Sequence, residues 1–168
     1  MRMILVLDNI RSCYNVGAIL RTAEGFGVEK VILSGYTPRV HDARLLPHLR
    51  EKLDREIHKT ALGAEEMTEI EASDDILKRL DELKEQDWKV VGLENNISNV
   101  PLFRLNDRLL KNKLGDKIVL VLGEEVHGIS KDVISKVDLF VEIPMRGQKE
   151  SFNVSVAAGI ATYAIMNL

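Results

Sequence analysis

An amide and a guanidinium stand six residues apart in Asn15-Val16-Gly17-Ala18-Ile19-Leu20-Arg21. Two carboxylates follow a glycine in Gly123-Glu124-Glu125-Val126-His127-Gly128, and a hydroxyl and an amide flank an aromatic ring in Ser151-Phe152-Asn153. Asn15 can cap a helix, Gly17 admits a neighbouring backbone, and Arg21, about a turn and a half further on, can present its charge beside the same end. Glu124 and Glu125 sit in a glycine-bounded loop, where acids gain from the field of a following helix start. Ser151 and Asn153 open an apolar segment just after Pro144-Met145-Arg146-Gly147. A helix start leaves N–H groups unpaired, and side chains of this kind cap them or help aim them at a ligand. Taken singly, these residues also fit plain roles as caps, turn glycines and solvated charges. His41, His48, His58 and His127 show no metal-ligand spacing, and the single cysteine, Cys13, excludes an intramolecular disulfide and a cysteine-cluster metal site. No metal is expected.

Such loops need a frame to hold them. Short apolar runs alternating with amphipathic stretches predict an α/β fold, an open, mostly parallel sheet with helices on both faces. Met3–Leu7, Lys30–Leu33, Trp88–Leu93, Lys117–Leu122 and Leu139–Ile143 read as strands, with about five or six in all. Asn15–Phe26 closed by Gly27, Asp74–Gln86, Ser130–Lys136 with Ser130 as its cap, and Asn153–Met166 read as helices. Between Gly35 and Ser73 the pattern is blurred by Pro38, Pro47, three histidines and many charges, and only Leu45, Leu46 and Leu49 hint at a short helix. That segment is expected to be an irregular, substrate-facing excursion. In open α/β sheets ligands sit beyond the carboxyl ends of strands, and all three polar segments fall in such loops.

Composition narrows the class. The 168 residues, 45% of them hydrophobic, suit one domain spanning 1–168. Twenty-three Lys and Arg against 26 Asp and Glu leave a formal charge of -3, so any nucleic acid must be held by a local patch. Arg11, Arg39, Arg44, Arg50, Lys52, Arg55 and Lys59 make the first third of the chain the richest in cations. No apolar run approaches the roughly 18 residues of a membrane span, and Met1–Leu7 is too short for a signal-peptide core. The chain is expected to be cytoplasmic, with no membrane contact.

In this order, the three segments resemble the motif set of the SPOUT superfamily of S-adenosylmethionine-dependent RNA methyltransferases, in its SpoU/TrmH branch of ribose 2′-O-methylases. The branch's Asn-x-Gly-x-x-x-Arg matches Asn15 to Arg21, and its strand ending in Gly-x-Glu-x-x-Gly matches Gly123 to Gly128. Its Ile-Pro-Met followed by Ser-Leu-Asn-Val-Ser matches Ile143-Pro144-Met145 and Ser151-Phe152-Asn153-Val154-Ser155. Phe152 stands where the branch more usually has Leu, and Glu124 where it often has Asn, Ser or another small residue, which adds a charge beside the ligand.

The resemblance implies a SPOUT fold with a C-terminal trefoil knot, S-adenosylmethionine as cofactor, tRNA or rRNA as partner, and a homodimer; the separate RNA-binding domain that many relatives carry is not expected here. It places Leu93, Gly123, Ile143 and Phe152 at the cofactor. It makes Arg21 the catalytic arginine, with Glu125 orienting Arg21 or Asn15 or closing its loop and Ser151 and Asn153 fixing the loop and the ribose, and allows the arginine of one subunit to serve the cofactor of the other. Since a guanidinium has a pKa above about 12, Arg21 is expected to bind the neighbouring phosphate and stabilise the developing alkoxide, with a base role left open. Two other functions also stay open: a non-catalytic RNA-binding or assembly module of the same fold, and a SPOUT enzyme methylating a base nitrogen. A nucleotide-binding Rossmann protein is disfavoured, because no Gly-x-Gly-x-x-Gly turn follows the first strand.

Overall fold

The computed structural model describes residues 1–95, 97, 100–105, 112 and 114–168. Among them, seven strands form one sheet: β1 (Arg2–Asp8), β2 (Lys30–Ser34), β3 (Ile70–Ser73), β4 (Lys89–Leu93), β5 (Val100–Pro101), β6 (Lys117–Leu122) and β7 (Leu139–Glu142). Their order is β3-β2-β1-β6-β4-β7-β5, and every neighbouring pair is parallel. The helices are α1 (Cys13–Gly25), α2 (Pro47–Ala61), α3 (Ala64–Met67), α4 (Ile76–Glu85), α5 (Lys131–Ile134) and α6 (Val154–Met166), with a 3₁₀ turn at Leu102–Arg104.

The central strands are continuous apolar runs because both of their faces are covered. On one face Met3, Leu5 and Leu7 of β1 pack with Ile19 and Leu20 of α1, Ile57 of α2 and Ala158, Ala161 and Ile165 of α6. On the other, Ile4 and Val6 meet Leu80 and Leu83 of α4 and Val133 of α5. Trp88 is buried in this second cluster, with Arg2 stacked 5.2 Å from its ring centroid.

The structure adds two strands to the five that the apolar runs mark. Both are edge or near-edge pieces: β3 is Ile-Glu-Ala-Ser with only Ser73 buried, and β5 is two residues long. Edge strands tolerate charge and brevity, and so lack the apolar signature. The segment from Gly35 to Ser73 is not the irregular excursion expected. From Pro47 onward it is the fifteen-residue α2, followed by α3 and β3. Pro47 starts α2 at a position where its missing N–H costs nothing. Leu62 closes it in the left-handed region at φ 53°, its N–H donating to the His58 carbonyl at 2.8 Å. Only Ile57 and Ala61 of α2 are buried, so a single narrow apolar seam is all the periodicity it offers. That seam suffices because Gly17 on α1 has no side chain. A Cβ there would lie 2.2 Å from the Ile57 carbonyl oxygen and 2.3 Å from Thr60 Oγ1.

Candidate functional site

The register of the sheet brings the carboxyl ends of three strands level, pairing Leu93 of β4 with Leu122 of β6 and with Val141 of β7. Beyond these ends lies a cleft of about 550 Å³. Leu93, Glu94 and Asn95 line it from β4, Leu122 to Gly128 from β6, Ile143 from β7, and Glu150 to Val154 with Ala157 from the start of α6. The four residues expected at a cofactor, Leu93, Gly123, Ile143 and Phe152, all stand in this wall, as do Glu125, Ser151 and Asn153.

The loop after β6 is closed on itself. Glu124 and Gly128 form an antiparallel bridge, with Glu124 N–H donating to the Gly128 carbonyl at 3.0 Å and Gly128 N–H returning to the Glu124 carbonyl at 2.9 Å. Gly123 permits this closure, since a Cβ there would meet the Gly128 carbonyl carbon at 2.3 Å and the Ile129 nitrogen at 2.4 Å. Glu94 pins the far side of the loop, accepting from Ile129 N–H at 2.9 Å. Glu94 was not among the residues expected here, although the rule that ligands gather at strand ends points to the first residue after β4.

Glu125 fastens this loop to the start of α1. Its carboxylate accepts from the backbone N–H of Arg11 at 3.2 Å, that of Ser12 at 3.4 Å, and Asn15 Nδ2 at 3.0 Å. Partial burial pushes the Glu125 carboxyl up, but these donors together hold it below the ordinary carboxylate value. The neighbouring Glu124 has its side chain only 11% exposed. It accepts from His127 Nδ1 at 2.8 Å and pairs with the Arg11 guanidinium. The bond from His127, aided by the Arg11 charge and opposed by burial, lowers its pKa.

Asn15 does not cap α1. Ser12 does, its side chain accepting from Asn15 N–H at 3.3 Å. Asn15 is thereby freed for a tertiary role, donating to Glu125 and accepting on Oδ1 from Asn153 Nδ2 at 3.2 Å. At α6 the cap is Asn153 rather than Ser151, with Asn153 Oδ1 accepting from Ser155 N–H at 2.9 Å. Ser130 caps α5 as expected, accepting from Val133 N–H at 3.4 Å. One residue from each of the three sequence segments thus forms the chain Glu125, Asn15, Asn153. Arg21 is not brought to it. Its side chain is exposed on α1, outside the lining of the cleft and without an ion pair among the described residues.

This arrangement defines a doubly covered parallel α/β protein with a ligand cleft at the ends of its strands, walled by backbone-rich loops and apolar side chains. Residues 2–163 match the SpoU rRNA Methylase family, and the chain belongs to that family. It is 32% identical over 164 residues to a putative TrmH family tRNA/rRNA methyltransferase of Staphylococcus aureus strain COL, covering 96% of this chain and 57% of that protein. It is likewise 32% identical over 161 residues to the 23S rRNA (guanosine-2′-O-)-methyltransferase RlmB of Xylella fastidiosa strain 9a5c, again covering 96% and 57%. The chain therefore spans little more than half the length of these relatives. An AdoMet-bound rRNA methyltransferase from Sinorhizobium meliloti shares the fold, with a TM-score of 0.77 at 22% identity over 99% of this chain and 56% of that one. No helix among the described residues is long and apolar enough to cross a membrane.

Proposed function

We propose that this chain transfers a methyl group from S-adenosylmethionine to a ribose 2′-hydroxyl of tRNA or rRNA. The observation that carries the reading is the hydrogen-bonded chain of Glu125, Asn15 and Asn153, from three segments far apart in sequence, in which Asn15 joins two residues of the cleft wall at the ends of β4, β6 and β7. The cleft fits the cofactor on its own terms. Its volume lies within the range of small-molecule sites, Leu93, Ile143 and Phe152 supply apolar wall, and the Gly123 loop brings backbone close to the ligand.

Bound there, S-adenosylmethionine supplies a methyl group made electrophilic by its sulfonium. The protein's part is to hold and aim. Asn15 is oriented by Glu125 and Asn153 together, which fixes the amide that faces an incoming ribose. Asn153 couples that amide to the start of α6, so cofactor wall and ribose site are set by one side chain.

The same reading supplies Arg21 from a second copy of the chain, to bind phosphate and stabilise the developing alkoxide. Two features support a homodimer. Val156, Ile160 and Tyr163 form an exposed apolar stripe on α6, and α6 packs beside α1, which bears Arg21. We also infer the C-terminal trefoil knot, supported by the packing of α6 on the 3₁₀ turn at Leu102–Arg104 and by Asn95 Nδ2 donating to the Glu150 carbonyl at 2.8 Å. Arg21→Ala is expected to abolish methyl transfer to RNA while S-adenosylmethionine binding, followed by calorimetry, persists. Normal transfer by that variant would refute the role of Arg21, and failure of the wild-type chain to bind S-adenosylmethionine would leave a non-catalytic module.

A further inference from the structure

Of the seven cations Arg11, Arg39, Arg44, Arg50, Lys52, Arg55 and Lys59, three are already engaged. Arg11 pairs with Glu124, Arg39 with Asp74, and Arg44 with Asp42. The remainder are concentrated on α2, where Lys52, Arg55 and Lys59 recur at helical spacing and are all exposed. At 100° per residue, all three leave the helix within about 40° of the direction opposite the buried Ile57, on the side away from its packed seam. Lys52 and Arg55 make no ion pair among the described residues. Of the three acids on the helix, Asp54 is held by His41, accepting from its backbone N–H at 2.8 Å and lying 3.1 Å from its ring Nδ1, Glu56 turns toward the Cys13 thiol, whose pKa is raised by burial and by Glu56, and Glu51 lies exposed to one side.

The strip leads toward the cleft. Lys59 Nζ lies 3.4 Å from the Tyr14 hydroxyl and 5.7 Å from its ring centroid, and Thr60 Oγ1 donates to the Tyr14 carbonyl at 2.9 Å. The Tyr14 ring is half exposed, and the next residue is Asn15 of the site itself. We propose that Lys52, Arg55 and Lys59 form a track for the RNA phosphate backbone, with Tyr14 as a stacking platform where the strand turns from α2 into the cleft. This rests on the RNA reading of the site and names the surface that delivers the strand to it. Charge complementarity selects the partner: in a chain of net charge -3, an exposed cationic strip ending at an aromatic ring suits a polyanion with planar bases.

Binding of a fluorescein-labelled mixed-sequence RNA oligonucleotide, titrated at several salt concentrations, tests the track. Each phosphate contact adds roughly 0.7 to the slope of log affinity against log salt for a single strand. K52A/R55A/K59A should therefore lower that slope by about two and weaken binding on the order of tenfold to a hundredfold near 0.1 M salt. Tyr14→Ala should weaken binding about fivefold or more with the slope unchanged, because stacking releases no counterions. K78A/K89A/K131A removes the same charge from α4, β4 and α5, and should leave affinity and slope as in wild type. The track is overturned if the α2 variant binds like wild type, if the second triple variant loses as much, or if the wild-type chain does not bind the oligonucleotide. Calorimetry with S-adenosylmethionine separates the two readings, since both triple variants should bind it normally. A wild-type chain that binds RNA through α2 but not S-adenosylmethionine would defeat the methyltransferase reading and keep the track.

Discussion

The two walls of the cleft are built differently. The Gly123–Gly128 wall is locked from within by the Glu124–Gly128 bridge, from behind by Glu94, and from the side by the three donors to Glu125. The Glu150–Asn153 wall is exposed along its length and is tied mainly at its two ends, through Asn95 to the Glu150 carbonyl and through Asn153 to Asn15 and Ser155. The first wall is a preformed surface whose geometry exists before a ligand arrives. The second is a span between anchors, suited to settle on a ligand once bound. Preorganisation favours affinity and aim, and a looser span allows entry and release.

The strongest way to break this contrast is Gly123→Ala. The added carbon would meet backbone, not a movable side-chain tip, so the closed loop must open. The variant should lose roughly 2–4 kcal/mol of stability in denaturant titration. Its affinity for S-adenosylmethionine should fall on the order of a hundredfold by calorimetry. A wild-type affinity would mean that the loop is not the preformed wall described.

Glu125→Gln comes next. It keeps the shape but removes the charge that three donors address, and is expected to lower kcat by on the order of tenfold to a hundredfold with little change in cofactor affinity. The lowered pKa of Glu125 gives this residue a signed pH effect. Its stabilising contribution is fully present above the ordinary carboxylate value of 4.5 and is lost as pH falls through the lower folded value. Acid unfolding of wild type should therefore approach that of Glu125→Gln below that range, while the two differ at neutral pH.

On the looser wall, Asn153→Ala should cost about 1 kcal/mol of stability, the usual value of a lost helix cap, and should reduce activity through Asn15. Ser151→Ala should change stability by less than about 0.5 kcal/mol, since the side chain is exposed and caps nothing. A thermal melt of the pair decides this, and equal losses would show that Ser151 is an anchor after all.

Several features were legible before the fold. The runs at Met3–Leu7 and Lys117–Leu122 read as strands because they are buried on both faces, and a strand of that kind has no polar positions to confuse the pattern. Leu93, Gly123, Ile143 and Phe152 were grouped by the family resemblance alone, and the fold sets all four in the wall of one cleft. α2 was not legible, because its buried seam is only Ile57 and Ala61, and its partner is a glycine whose role is to be absent. β3 and β5 lie at or near one edge of the sheet or the other, where no apolar run is required.

The choice of caps shows the division most closely. From sequence, Asn15 and Ser151 are as good caps as Ser12 and Asn153, since both residue types satisfy a first-turn N–H. By itself the sequence determined the five apolar strands, the order of the three polar segments and their placement in loops after strands, because these follow from residue type and period. Only the tertiary structure decided that Asn15 spends its amide on Glu125 and Asn153, and that Arg21 faces outward. A hydrogen bond between residues 110 or 138 positions apart depends on how the sheet aligns its strand ends, and no local property of the chain encodes that alignment.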